Sequence, residues 1–286
     1  MQLTEQQLKQ IAVFGIAGNF AEHLGQAGED ADFVNIETKE IGAPKGIFPI
    51  YLPGDSSFLG NFPLSNQKLL ADFSNPIKVQ MEPELCILFN AEYDDDHFLT
   101  QLNPIAFAAF NDCTIRRPNA TKLSQKKNWG AHSTGISNHW IDIDQFETGG
   151  ALDRFHIASY LKRDGQIHSY GIDSPVVNYS YFYQPLQQWM LETFNTQTDF
   201  GPLENLRNLL SKTQYPKQLI ITLGATRYSE YGESTFLAPN DQLGVFIYNA
   251  DLIKPEDLMT HFNDKPFAEN FAKGQVSDLI QTVADK

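Results

Sequence analysis

The chain has 286 residues, of which 42% are apolar and 12% aromatic, enough to build a sizeable core and too mixed for a coiled coil or a disordered tail. Its 21 Lys and Arg against 35 Asp and Glu leave a formal charge of -14, a field that repels phosphate backbones and anionic membranes, so nucleic acid and membrane are not expected partners. The first ten residues hold no apolar signal segment, and uninterrupted apolar runs such as Ile105 to Phe110 are far short of a membrane span, so a soluble cytoplasmic protein is expected. In chain order, Thr4 and Gln7 fit a capping box and open a short helix, after which Ala12 to Ala17 reads as a strand. Residues Gly42 to Pro63 are dense in Gly and Pro and predict turns and edge strands, in an extended loop region close to a functional element or an irregular connector. From Ile77 to Phe89 apolar side chains keep to odd positions while Lys78, Gln80, Glu82 and Glu84 take the even ones, the period of a strand with one dry face; Pro83 points to an edge or a bulge. Ala106 to Phe110 is a further apolar strand. Phe155 to Leu161 and Gln166 to Ile172 flank Asp164-Gly165 as a hairpin, and Gln218 to Leu223 and Gln242 to Tyr248 are strands. Helical patterning is confined to Tyr183 to Phe194, Leu203 to Ser211, Glu256 to Phe262 and a tail over Val276 to Val283. The expected class is a β-rich α+β fold, and no glycine-rich phosphate loop follows a strand.

Glu82 and Glu84 stand two apart on a strand, so their carboxylates project from one face and repel each other unless a cation or a proton intervenes. Asp112 ends the apolar Ala106 to Phe110 run, an expensive place for an unpaired charge. Three hard oxygen donors without a His or Cys cluster favour Mg²⁺, with Mn²⁺ and Ca²⁺ as rivals. Cys86 and Cys113, both in apolar sequence, read as buried thiols. His132 and His139 read as ordinary loop histidines, and Asp94 to His97 as a solvated turn without the spacing of an EF-hand. The aromatic cluster Tyr179, Tyr181, Phe182, Tyr183 and Trp189 reads as core packing or a dimer surface rather than a stacking platform for a ligand, and no serine lies in a nucleophile elbow.

The ordered set Glu82-Pro83-Glu84-Leu85, then Phe110-Asn111-Asp112 and Arg116, resembles the metal-binding core of the fumarylacetoacetate hydrolase superfamily. The likeness extends to Gly18-Asn19-Phe20-Ala21-Glu22-His23 near the start, Lys127-Asn128-Trp129 after Arg116, and Thr222-Leu223-Gly224-Ala225-Thr226 and Leu237-Ala238-Pro239-Asn240-Asp241 toward the end. The resemblance implies a mixed β-sheet roll with short peripheral helices and a single domain over 1–286. Residues 1–76 would contribute to the site, 77–250 form the roll and 251–286 a helical tail. It implies Mg²⁺ or Mn²⁺ on Glu82, Glu84 and Asp112, a homodimer, and hydrolysis, decarboxylation or isomerisation of a small 2-oxo or 1,3-dicarbonyl acid. His23 would move protons, and Arg116 or Lys127 would grip the substrate carboxylate or steady the ligands. Three positions depart from the family pattern. Gln26 stands where family hydrolases carry the Glu that works with the histidine, Ile50 to Gly54 lacks the expected lysine, and Ala225 replaces a threonine. A non-catalytic relative that binds a small carboxylic acid or a protein partner is the alternative expectation.

Overall fold

The computed structural model describes residues 1–20, 25–26, 33, 35–36, 38, 40, 42–74, 77–117, 119–264 and 271–286. Two mixed sheets face each other. The first, of eight strands, is built from β1 (Ala12–Ala17), β2 (Gly46–Tyr51), β3 (Leu64–Ser65), β6 (Pro83–Tyr93), β7 (Leu99–Asn111), β9 (Thr134–Ile136), β10 (Ile141–Asp142) and β14 (Gln218–Thr222), in the order β2-β1-β14-β6-β7-β9-β3 with β10 also on β7. The second, of six strands, contains β4 (Lys68–Ala71), β11 (Phe155–Arg163), β12 (Gln166–Ser169), β13 (Ser174–Pro175), β15 (Gln242–Asn249) and β16 (Val276–Asp285). A two-stranded ribbon pairs β5 (Val79–Gln80) with β8 (Thr114–Ile115). The pairs β1–β14, β3–β9 and β4–β16 are parallel and the others antiparallel, which gives the curled, mixed, β-rich architecture expected.

The main core lies between the sheets, where Phe14, Ile16, Leu85, Ile87, Phe89, Phe107 and Ile221 meet Ile157, Leu161, Val245, Ile247, Leu279 and Val283. The helix Tyr183–Thr196 adds Leu186, Met190 and Phe194 to it, with the Phe194 ring edge-on to Phe14 at 5.2 Å. A second cluster covers the other face of the first sheet through Val13, Phe48, Ile50, Cys86, Leu88, Ala108, Phe110 and Ile220. Consequently β6 has no wet face over Pro83 to Phe89, where even positions are as buried as odd ones because β2 and the segments around Leu123 and Leu203 cover the face that alternation alone assigns to solvent; beyond them Asn90 and Glu92 are exposed. Pro83 is the first residue of this central strand, where no ladder donor is lost. On the outer face of the second sheet, Leu258 and Phe262 of the helix Pro255–Asp264 pack on Tyr160 and Phe246.

The Gly- and Pro-rich stretch contains β2, an edge strand as expected, fully buried and with Pro49 beside a register shift against β1. Two segments differ from expectation. The strand expected over Ile77 to Phe89 is broken: β5 ends at Gln80 and β6 begins at Pro83, which leaves Met81 and Glu82 between them outside either strand. The tail predicted as helix over Val276 to Val283 is β16, paired antiparallel with β15 and parallel with β4. Leu279, Ile280 and Val283 suit either period, and the two free ladder edges decide for the strand. The hairpin β11–β12 turns where expected, with Asp164 at φ 51° and Gly165 at φ 79°. Just before the turn, Arg163 grips the buried Asp241 through Nε to Oδ1 at 2.7 Å and Nη2 to Oδ2 at 2.6 Å. The Leu237 to Asp241 stretch is therefore a clamp on the second sheet, with Asp241 also accepting from the Ala238 amide.

Candidate metal centre

The site forms at one end of the first sheet, where β1, β7 and β14 finish and β6 begins. Parallel pairing of β1 with β14 brings Ala17 and Thr222 to the same end, and antiparallel β6 returns Glu84 beside them. Asp112 follows the last residue of β7, and its amide donates to Glu82 O at 3.0 Å. Carboxylate oxygens of Glu82, Glu84 and Asp112 converge to within 4.8 Å of one another, and all three residues are buried.

Each acid is held by the surrounding chain. Glu84 Oε2 accepts from the Thr222 hydroxyl and from the Gly224 amide at 2.8 Å. Gly224 sits at φ +111°, a backbone that only glycine adopts without strain, and this turn aims its N–H at the carboxylate. The Glu82 amide donates to Asn111 Oδ1 at 3.1 Å, and Asn111 Nδ2 donates to Gln281 of β16 at 2.9 Å, so the second sheet braces the ligand strand from behind. Asn19 is fully buried and ties Leu223 O at 3.0 Å to the Tyr181 backbone, fixing the turn that carries Gly224.

Lys127, from the short helix Ser124–Lys127, enters the cluster with 2% of its surface exposed. Its Nζ lies 2.5 Å from Glu82 Oε2 and 2.8 Å from Asp112 Oδ2, and donates to Asp112 O at 3.2 Å. The Phe48 ring closes over the ammonium at 5.7 Å. Arg116 Nη2 faces Glu82 Oε1 at 3.5 Å, while the same guanidinium donates to Gln80 Oε1 at 2.7 Å and stands 3.5 Å from the Tyr228 hydroxyl. Three carboxyl groups thus share two cations. Burial, followed by the nearby Asp112 charge, pushes the Glu84 carboxyl well above the usual carboxylate range, with Lys127 opposing. Glu82 Oε1 is buried and accepts no hydrogen bond from the described residues. An acid-rich, buried site with an oxygen left over has the donor set that could hold a divalent cation. The enclosed space, lined by Ile16 to Phe20, Phe48, the three acids, Leu123, Lys127, Gly224 and Ala225, measures about 20 Å³, room for one water-sized occupant.

The structure therefore brings Glu82, Glu84, Asp112 and Lys127 into one cavity, with Arg116 at its edge. His23 lies outside the described residues. Gln26 does not line the acidic cavity, and its amide grips the Tyr228 backbone from both sides: Nε2 donates to Tyr228 O at 3.3 Å and Oε1 accepts from Tyr228 N at 2.9 Å. Cys86 and Cys113 are buried free thiols, held protonated chiefly by burial. His139 pairs with Asp278, and Asp94 caps its own turn by accepting from Asp96 N and Phe98 N. Neither group joins the centre. The supporting residues Thr222, Gly224, Asn19, Asn111 and Gln281 escaped the reading of the sequence as contacts, although the first four belong to motifs it singled out.

Behind the lysine helix, Ser124 Oγ donates to Glu204 Oε1 at 2.5 Å, and Glu204 Oε2 is buried without a hydrogen bond among the described residues. Burial raises this carboxyl from its ordinary 4.5 to about 7. Folding then holds the proton more tightly than the unfolded chain does. The resulting stability is complete below pH 4.5, falls as the pH rises, and is lost once the pH passes 7, a span worth on the order of 3 kcal/mol. Denaturant unfolding at about pH 5 and about pH 8 checks this: Glu204→Gln is expected to flatten the decline seen in the parent protein, and parallel declines would refute it.

Residues 29–283 match the family described as "Family of unknown function (DUF5718)". A search of the curated proteins found no match. Among solved structures, the chain is similar to 5-carboxymethyl-2-hydroxymuconate delta-isomerase from Mycobacterium smegmatis at 13% identity, covering 96% of this chain and 79% of that one with a TM-score of 0.51. It is similar to 2-hydroxyhepta-2,4-diene-1,7-dioate isomerase from Mycobacterium marinum at 12% identity, with coverages of 96% and 75% and a TM-score of 0.52. It is also similar to Cg1458, solved with an inhibitor, at 16% identity, with coverages of 96% and 77% and a TM-score of 0.52. At these identities the likeness is one of fold, and the fold is the fumarylacetoacetate hydrolase type that the ordered motifs implied. No helix among the described residues is long and apolar enough to cross a membrane.

Proposed function

The chain belongs to the DUF5718 family, and from that premise and the geometry of the acidic cluster we propose that it is a divalent-metal-dependent enzyme acting on a small 2-oxo or 1,3-dicarbonyl acid. The reaction is C–C hydrolysis, decarboxylation or enol–keto isomerisation. The observation that carries this reading is the convergence of three buried carboxylates within 4.8 Å in a cavity that also holds a lysine. Glu82, Glu84 and Asp112 would hold Mg²⁺ or Mn²⁺, which when bound supplies Lewis-acid stabilisation of the charge that develops on an enolising acid. Thr222 and the Gly224 amide keep Glu84 in place, and Asn111 does the same for the start of β6. Lys127 neutralises the ligand set and holds Glu82 and Asp112 at a fixed separation. Arg116 adds positive charge at the edge, where a substrate carboxylate is attracted. His23, three residues after the cavity-lining Phe20, is the proton-transfer group in this reading. Two isomerases share the fold, which supports chemistry on small unsaturated acids.

A second reading, a non-catalytic relative that binds a small carboxylic acid, is favoured by one observation. Gln26, at the position of the family's acid, spends its amide on the Tyr228 backbone. One experiment separates the two: titrate the purified protein with Mn²⁺, then follow oxaloacetate and an acylpyruvate by product formation beside their effect on thermal unfolding. Metal-dependent turnover abolished by EDTA supports the enzyme, and ligand-induced stabilisation without product supports the binder. Absence of metal binding at millimolar Mn²⁺ removes the first reading.

A further inference from the structure

Five of the chain's 21 lysines and arginines, Arg116, Arg117, Lys122, Lys126 and Lys127, fall within twelve residues, and no Asp or Glu occurs between Asp112 and Asp142. In a protein of net charge -14 this is a basic island, and four of its five members are accounted for. Arg116 and Lys127 serve the acidic cluster, Lys122 pairs with Asp199 at 2.7 Å, and Lys126 is buried and engaged. Arg117 is different. It is exposed, and among the described residues its guanidinium makes neither an ion pair nor a hydrogen bond.

Arg117 lines a cavity of about 660 Å³ that shares no lining residue with the acidic one. Its walls are the rings of Phe58 and Trp129, and its polar lining is amide and guanidinium with no carboxylate. Asn128 is saturated, donating to Ile50 O at 2.8 Å and Asn61 O at 3.0 Å. Gln125 has its carbonyl committed to the Thr121 and Lys122 amides, which leaves its NH₂ to the cavity, and the Asn119 amide has no side-chain partner among the described residues. Lys286 Nζ, donating to Trp129 O at 3.1 Å, adds a positive charge next to this wall. The cavity thus offers donors and aromatic faces and little that accepts. A guanidinium fork matches a carboxylate, the rings match a flat apolar body, and one guanidinium lining the cavity suits a monoanion better than a polyphosphate.

We propose that this cavity is a second ligand site, which binds a planar organic monocarboxylate through Arg117, between Phe58 and Trp129. The site is independent of the metal reading. Benzoate is the probe and benzamide its uncharged control, titrated calorimetrically into the full chain. Benzoate is expected to bind saturably with one molecule per chain, with benzamide at least about tenfold weaker. Arg117→Gln is expected to weaken benzoate by about tenfold or more without moving the unfolding midpoint, since the native side chain has no partner to lose. Phe58→Ala weakens both probes by removing a wall. Asp112→Ala protein retains benzoate binding, which separates this site from the acidic cavity. The proposal is overturned if benzoate fails to saturate by about 10 mM, if Arg117→Gln binds it as well as the parent, or if Asp112→Ala abolishes binding.

Discussion

Lys127→Met is expected to destabilise the metal-free protein by about 3–5 kcal/mol, the largest effect of any single change at the site. The ammonium lies within 2.8 Å of both Glu82 and Asp112 at 2% exposure, so its removal strands two buried carboxylates against a third with only the Arg116 guanidinium, 3.5 Å away, in compensation. Methionine fills the space and isolates the charge effect from cavity formation. The chain has two ways to relieve the stranded charge, protonation or a cation. Denaturant unfolding of the variant should therefore show a stability that rises as the pH falls and rises again on adding Mn²⁺, by about 2.7 kcal/mol at a hundredfold excess over Kd. The parent protein, already compensated, should respond less steeply to pH. A variant as stable as the parent in EDTA would mean that the acids do not depend on the lysine and that the cluster is neutralised by other means.

Asp112→Ala carries the second large expectation, a loss of divalent-metal affinity of about a hundredfold or more with the fold retained. The two effects are separable because of the way Lys127 is placed. When Asp112 is removed, the ammonium keeps Glu82 at 2.5 Å, so no buried charge is left alone and the stability cost should stay near 1–2 kcal/mol. Calorimetric Mn²⁺ titration, with circular dichroism as the check on folding, reads both quantities. Unchanged affinity would exclude Asp112 from the ligand set. Collapse of the fold would give it a structural part that its contacts with Lys127 do not account for. Together the two variants divide the labour within the cluster: one residue chiefly sets metal affinity, the other chiefly makes the metal-free state tolerable.

Much of this centre was legible in the amino-acid order, for a reason rooted in strand geometry. Glu82 and Glu84 are two apart, and although β6 begins only at Pro83 the extended chain entering it still brings both to one side; Asp112 follows the apolar run that forms the end of β7. The β11–β12 hairpin was equally local, because Asp164 and Gly165 need positive φ whatever surrounds them. Where interactions along the chain settle conformation, reading residues in order suffices.

Other features depended on partners distant in sequence. Residues 276–283 fit two periods, and they became β16 because β15 and β4 each offered an unpaired edge. The even face of β6 from Glu84 to Leu88 was dry because segments from Gly46 onward and around Leu203 came to cover it. Lys127 shows the difference most sharply. The resemblance left open whether Lys127 or Arg116 steadies the ligands or grips substrate; that Lys127 is the counter-charge between Glu82 and Asp112 was decided only by the tertiary structure, as was the commitment of Gln26 to the Tyr228 backbone. The identity and order of the acids were properties of the polymer itself, set by side-chain chemistry and a two-residue repeat. Which cation faces them, and how dry the space between is, were decided only when two sheets closed on each other, because burial and charge pairing are relations between segments that the linear chain does not bring together.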